Sequence, residues 1–134
     1  MSLFLDSSAI IELFKDNRSV TDVIANASEV YTSSICAYEV LLGEKYREEK
    51  GMHSYLGKIQ QLFEEIATLP FTYKDSIKAS AIMAKLSAKG KKVDEFDVMI
   101  AAQALAVGAI ILTKDAKHFE VLREEIELPM QSPK

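Results

Sequence analysis

The chain has little of what redox, thiol or zinc chemistry requires. Its 134 residues include one cysteine, Cys36, so no disulfide closes within the chain, which fits a reducing compartment. That cysteine sits in the stretch SSICAYEV, where a small buried hydrophobe is a better reading than a nucleophile. The two histidines, His53 and His118, lie far apart and with one cysteine make no zinc spacing. A glycine-rich loop to cradle nucleotide phosphates is missing, which argues against a kinase or NTPase. No apolar run approaches the roughly 20 residues of a membrane span, so no membrane association is expected. At the start of the chain no basic residues precede the apolar run, and Asp6, Ser7 and Ser8 interrupt it. The expectation is a cytoplasmic protein without a secretory leader. Net charge is −4, which argues against a general coat for nucleic acid. Linkers, repeats and low-complexity segments are also lacking, and the length suits one domain over residues 1–134.

What is present is an alternation of short apolar strands and helical segments. With 49% hydrophobic residues the chain can bury a sizeable core. Strand signals fall at residues 3–6, at Glu29–Ser33, at 68–72, at 109–113 and at 127–130. Pro70 places the third of these at a sheet edge. Helical signals fall at residues 8–15, 20–27, 34–50, 52–66, 75–89, 95–107 and 117–125. Gly51, Gly90 and Gly108 stop three of these helices. The end of the chain from Pro133 is expected to fray. Strands separated by helices pair in parallel through right-handed crossovers. All-apolar strands such as LFL and AIIL suit a sheet covered on both faces. The fold class is therefore α/β: a three-layer α/β/α sandwich with a central parallel sheet.

Several acids sit where a structural protein has little use for them. Asp6 ends an apolar strand, and a carboxylate there costs free energy unless something positive or hydrogen-bonding meets it. Asp115 lies just past another apolar strand, so two strands deliver carboxylates to one rim, where parallel sheets bind ligands. Glu39 falls on or beside an inward helical stripe of Ile35, Leu42 and Tyr46. Asp97 precedes Ile100, Ala101 and Ala104 on a packed helix face near the helix start. Taken singly, each acid has a plain structural use, as a helix cap for Asp6, a first-turn acid for Asp97 and a turn residue for Asp115. Together they would repel one another without a cation, and an all-oxygen set selects a hard ion, Mg²⁺ or Mn²⁺. The hydroxyls of Ser8 and Thr113 flank the same rim, able to orient a carboxylate or a bound water.

The segments FLDSSAII, TSSICAYEVLLGE and DVMIAAQALAVGAIILTKDAKHF stand in the order and spacing of a PIN domain. Over essentially its whole length the chain resembles the VapC-type toxins of prokaryotic toxin–antitoxin pairs. The most specific part runs from Asp97 through Ile100-Ala101-Ala102, Gly108, Thr113-Lys114-Asp115 and Phe119. The resemblance implies an endoribonuclease that uses Mg²⁺ or Mn²⁺, with Asp6, Glu39, Asp97 and Asp115 as its acids. It implies Asp6 and Asp97 as direct metal ligands, with Asp115 and Glu39 acting directly or through water. Asp94, just ahead of Asp97, reads as a solvent-facing cap or first-turn residue. Metal-assisted hydrolysis would leave a 5′-phosphate and a 3′-hydroxyl, as the resemblance suggests.

With the four acids set aside the remainder is formally neutral, which leaves room for local basic patches. Lys114 and Lys117 bracket Asp115 near the proposed metal, whereas Lys85, Lys89, Lys91 and Lys92 read better as a solvated face. The helical segments between Ile35 and Ile66 carry more apolar residues than one sheet face needs, enough for a dimer contact or an antitoxin groove. Implied partners are RNA, a small antitoxin and a second copy of the chain. Two alternatives stand beside the nuclease. One is a PIN-fold module that binds metal and RNA without cutting. The other is a receiver-like phosphoacceptor, which is less suited because the only acid after the third strand, Asp75, comes too late.

Overall fold

A computed structural model describes residues 1–133; the expected fraying at Lys134 lies outside the described residues. Five parallel strands form the sheet: β1 (Ser2–Leu5), β2 (Glu29–Ser33), β3 (Ala67–Leu69), β4 (Ile110–Leu112) and β5 (Met130–Gln131). Their order is β3-β2-β1-β4-β5, so β1 is central and the strand carrying Pro70 at its end is an edge, as expected. Leu3, Phe4 and Leu5 of β1 are all fully buried, because successive side chains point to opposite faces and both faces are covered.

Among the described residues seven α-helices cover the sheet: α1 (Ser7–Phe14), α2 (Arg18–Ala25), α3 (Ser34–Glu49), α4 (Leu56–Glu65), α5 (Tyr73–Ala88), α6 (Glu95–Ala106) and α7 (Glu120–Ile126). A one-turn 3-10 helix (Ala116–Phe119) precedes α7. Two cores result. Phe4 and Ile111 point into one, with Ala101, Ala104, Phe119 and Leu122. Leu3, Leu5 and Leu112 point into the other, with Ile10, Val40 and Phe63. The expected three-layer α/β/α class is the one observed. Among the described residues no helix is long and apolar enough to cross a membrane.

Element ends differ from expectation where caps decide them. The helix expected from residue 52 begins at Leu56. Gly51 adopts φ +70° and its N–H bonds Glu48 O, while Met52 N–H bonds Arg47 O. Residues 51 and 52 therefore finish α3, and the chain needs more length before it can turn again. The strand expected over 68–72 stops at Leu69, because Thr72 and Asp75 form a capping box that starts α5 at Tyr73. The segment expected as one helix over 117–125 is split into the 3-10 turn and α7. The last strand falls at Met130–Gln131, after the left-handed Glu127 ends α7.

Candidate active site

Parallel pairing of β1 with β4 aligns Leu5 with Leu112, and Asp6 N–H reaches Leu112 O at 3.3 Å. Asp6 and Thr113 thus leave the sheet side by side. Asp6 is only 6% exposed, and three donors hold it. Its Oδ1 accepts from Ser8 Oγ at 2.7 Å and from the Ala9 N–H at 2.9 Å; its Oδ2 accepts from Thr113 Oγ1 at 2.5 Å. Asp6 is therefore the cap of α1 as well as a rim carboxylate, since Ala9 N–H is one of the helix's unpaired first-turn donors. Burial raises its pKa, the three donors oppose the rise, and the nearby Asp115 charge adds to it.

The loop after β4 is tied to the same point. Thr113 Oγ1 accepts from the Asp115 N–H at 2.9 Å, and Ser8 Oγ accepts from the Lys114 N–H at 2.9 Å. Ser8 and Thr113 themselves stand 3.3 Å apart. Both hydroxyls lie where the sequence put them, locking the turn that carries Asp115.

Asp97 enters from the first turn of α6. Asp94 is the cap of that helix, accepting from the N–H groups of Phe96 (2.9 Å) and Asp97 (3.3 Å), as its position suggested. Ile100, Ala101 and Ala104 are buried on the face that follows, as expected. The Asp97 side chain is half-buried and has no hydrogen-bond donor among the described residues. Its pKa is pushed up to about 7, first by desolvation, then by the Asp94 charge, with smaller contributions from Asp6 and Glu39; His118 opposes the rise.

Glu39 reaches the site differently from expectation. The buried positions of α3 are Cys36 and Val40, whereas Tyr46, placed on the inward stripe by its spacing, is 59% exposed. The helix rolls so that Cys36 packs under β1, its thiol pointing at Leu5 O, and Glu39 stands half-buried at the edge of the packed face. Ser7 Oγ donates to Glu39 Oε1 at 2.8 Å, tying α1 to α3. That role for Ser7 was not legible: of two adjacent serines after Asp6, only the arrival of α3 decides which one meets Glu39. Burial pushes the Cys36 thiol up to about 12, which removes it as a nucleophile and agrees with its reading as a small hydrophobe.

The four predicted acids therefore face one rim. Asp6 is coupled in charge to Asp115, and Asp97 to Asp6 and Glu39. Glu39, Asp94 and Asp97 line an open pocket of about 410 Å³ with Lys92, Lys117 and His118. As the side chains lie, no three His, Cys, Asp or Glu groups among the described residues stand close enough to enclose an ion. The donor set nevertheless fits a hard divalent cation. It is all oxygen, and no ion pair neutralises Asp6, Glu39, Asp97 or Asp115 among the described residues. Burial, and then the Asp94 charge, push the Asp97 carboxyl up to about 7, and a bound cation would favour its charged form. His118 was not singled out from the sequence, although its place three residues after Asp115 was the available signal.

A second concavity lies between α1, α3 and α4, with a volume of about 610 Å³ and a mostly apolar wall that includes Phe14, Val40, Tyr55 and Ile59. It opens beside Glu39, which lines both cavities.

Comparison with known proteins agrees with the fold. Residues 3–124 match the PIN domain family. The chain is 26% identical over 124 residues to "Ribonuclease VapC2" of Haemophilus influenzae, covering 90% of this chain and 91% of that one. It is 29% identical over 125 residues to "Ribonuclease VapC1" of Methanocaldococcus jannaschii, covering 91% and 82%. The solved structure of VapBC-1 from nontypeable Haemophilus influenzae superposes with a TM-score of 0.80 at 22% identity, covering 98% of each chain. The chain belongs to the PIN-domain family and within it is similar to the VapC ribonucleases.

Proposed function

We propose that the chain acts as a single domain, an Mg²⁺- or Mn²⁺-dependent endoribonuclease that is the toxin of a toxin–antitoxin pair in the cytoplasm. The observation that supports this reading is that Asp97 feels the charges of Asp6 and Glu39, and Asp6 that of Asp115, with no ion pair to any of the four among the described residues. The likeness to proteins named ribonuclease VapC supplies the substrate class.

Asp6 and Asp97 would hold the cation, with Asp115 beside Asp6 as a further ligand, directly or through water. When bound, the cation supplies stabilisation of the charge that develops on the scissile phosphate, and it acidifies water. The chain's own residues then do the positioning. Thr113 and Ser8 fix the Asp6 carboxylate so that it need not reorganise when the substrate arrives. Ser7 holds one oxygen of Glu39 and leaves the other to take a proton from the attacking water. Attack at phosphorus breaks the bond to the 3′-oxygen, which leaves as the 3′-hydroxyl once protonated, and the other fragment keeps a 5′-phosphate.

The antitoxin is assigned to the apolar groove between α1, α3 and α4, which an amphipathic helix fits and which leads to Glu39. A second copy of the chain would share the apolar surface of the segment between Ile35 and Ile66, where Tyr38, Tyr46 and Met52 are exposed.

The test is RNA cleavage by purified protein in Mg²⁺ or Mn²⁺, beside Asp97→Asn and an EDTA control. Metal-dependent cleavage that disappears in the folded variant and on chelation is expected. Equal cleavage by the variant would overturn the site. RNA binding without cleavage by the wild type would favour the non-cleaving module.

A further inference from the structure

The acidic pocket is not wholly acidic. Lys92 lies in the turn before α6, and Lys117 and His118 lie in the 3-10 turn after Asp115. The 3-10 turn is held from both sides. Phe119 and Leu122 are fully buried in the core below it, and the His118 N–H bonds Asp115 O at 2.9 Å. The backbone that presents Lys117 and His118 is thus fixed relative to Asp115, while both side chains are exposed.

Carboxylates line the same pocket, yet among the described residues neither Lys92, Lys117 nor His118 forms an ion pair. The neighbouring basic residues behave differently: Lys89 and Lys91 both reach Glu125, at 2.8 and 3.7 Å. Lys92 is therefore set apart from the lysines that precede it, as a cation with an exposed head beside the site. Three carboxylates against two ammonium groups leave the pocket wall with a net negative charge. A divalent cation inverts that sign, and the wall then suits a phosphate in a place where two ammonium groups and an imidazole N–H can donate to it.

We propose that Lys92, Lys117 and His118 form a phosphate-binding rim that grips the RNA backbone phosphate next to the one being cut, and so set the register of the strand over the carboxylates. They are positioning residues, and the proposal rests on the nuclease reading for the location of the scissile bond. The rim prefers a polynucleotide to a substrate with one phosphate, and its grip strengthens when metal is bound, because the two ligands share one electrostatic well.

The experiment is fluorescence anisotropy of a short labelled single-stranded oligoribonucleotide on the full chain, across a range of KCl, with Ca²⁺ replacing Mg²⁺ to hold off cleavage. Lys92→Ala, Lys117→Ala and His118→Ala are each expected to weaken binding about tenfold at low salt, as loss of a charge-assisted contact does. Each lysine variant should also lower the slope of log affinity against log salt by about 1. Lys92→Arg and Lys117→Arg should restore both, which a structural role for the lysine stem alone would not. In Mg²⁺, KM for RNA should rise more than kcat falls. Unchanged affinity and salt slope in all three alanine variants would overturn the rim while leaving wild-type cleavage, and the nuclease reading, intact. Wild-type binding that the rim variants weaken, in a protein that never cleaves, would sustain the rim and sink the nuclease. No RNA binding by the wild type would sink both.

Discussion

Asp6 and Asp97 stand at the same rim and are built in opposite ways. Asp6 is the more deeply enclosed, yet three donors meet its two oxygens, so burial is partly offset by hydrogen bonds to the charged form. Asp97 is more open but receives no donor, sits beside Asp94, and is the carboxylate pushed up to about 7. Burial raises both acids; three donors oppose the rise at Asp6 and none opposes it at Asp97. One half of the rim is finished by the fold alone. The other half is left incomplete in charge, and a cation completes it.

The largest expected effects break this comparison directly. Asp6→Asn and Asp97→Asn should both reduce cleavage by about a thousandfold or more, because each removes a charge from the metal site. Their effects on the metal-free fold should diverge. In Asp6→Asn one donor from Thr113 or Ser8 loses its acceptor, and stability should fall by about 1–3 kcal/mol. Asp97→Asn relieves repulsion, so its melting temperature without metal should equal or exceed the wild type's. Equal losses in both variants would remove the distinction between a finished and an unfinished half.

A smaller effect comes from the hydroxyl that joins β4 to Asp6. Thr113→Val removes a donor to Asp6 and an acceptor for the Asp115 N–H, and it should cost about 1–3 kcal/mol in denaturant unfolding and lower activity. Ser8→Ala, which leaves the Thr113 bond in place, should cost less.

The pH dependence sharpens the contrast further. The folded pKa of Asp97 lies above the ordinary 3.8, so between about 4 and 7 the native state holds a proton that the unfolded chain has released. The Asp97 contribution to metal-free stability is therefore greatest at acid pH and is lost as pH rises through about 7. Protonated Asp97 cannot ligate, so the Mg²⁺ concentration for half-maximal activity should rise as pH drops below 7. Asp97→Asn should flatten the metal-free stability profile over that range, and urea melts at a series of pH values would read it. The smallest effect lies far from the rim. Thr72→Ala breaks the α5 capping box and should lower stability by about 0.5–2 kcal/mol, with cleavage per folded molecule unchanged.

Much of this was legible in the sequence because the signals were local. LFLD and AIILT are short apolar runs that suit strands covered on both faces. A carboxylate or hydroxyl directly after each therefore falls at the sheet's ligand-binding end. Asp97 was legible because Ile100, Ala101 and Ala104 fix which face of α6 packs. For Glu39 the stripe is right in part: Ile35 packs on the core and Leu42 is half-buried, but Tyr46 is exposed, and the buried positions are Cys36 and Val40. The charged second half of α3 leaves the sheet, so spacing alone misplaces its last residue. Ser7 is adjacent to a second serine, and only the approach of α3 tells the two apart. For His118 the sequence offers one signal, its place three residues after Asp115.

The most direct test of a shared cation site is a thermal melt of the wild type, Asp6→Asn and Asp97→Asn across a Mg²⁺ titration, without RNA. The account predicts a concentration-dependent rise in melting temperature for the wild type and a flat response in both variants, whatever their starting stabilities. A rise of equal size in Asp97→Asn would contradict it, because the cation would then be bound without the carboxylate whose uncompensated charge defines the site.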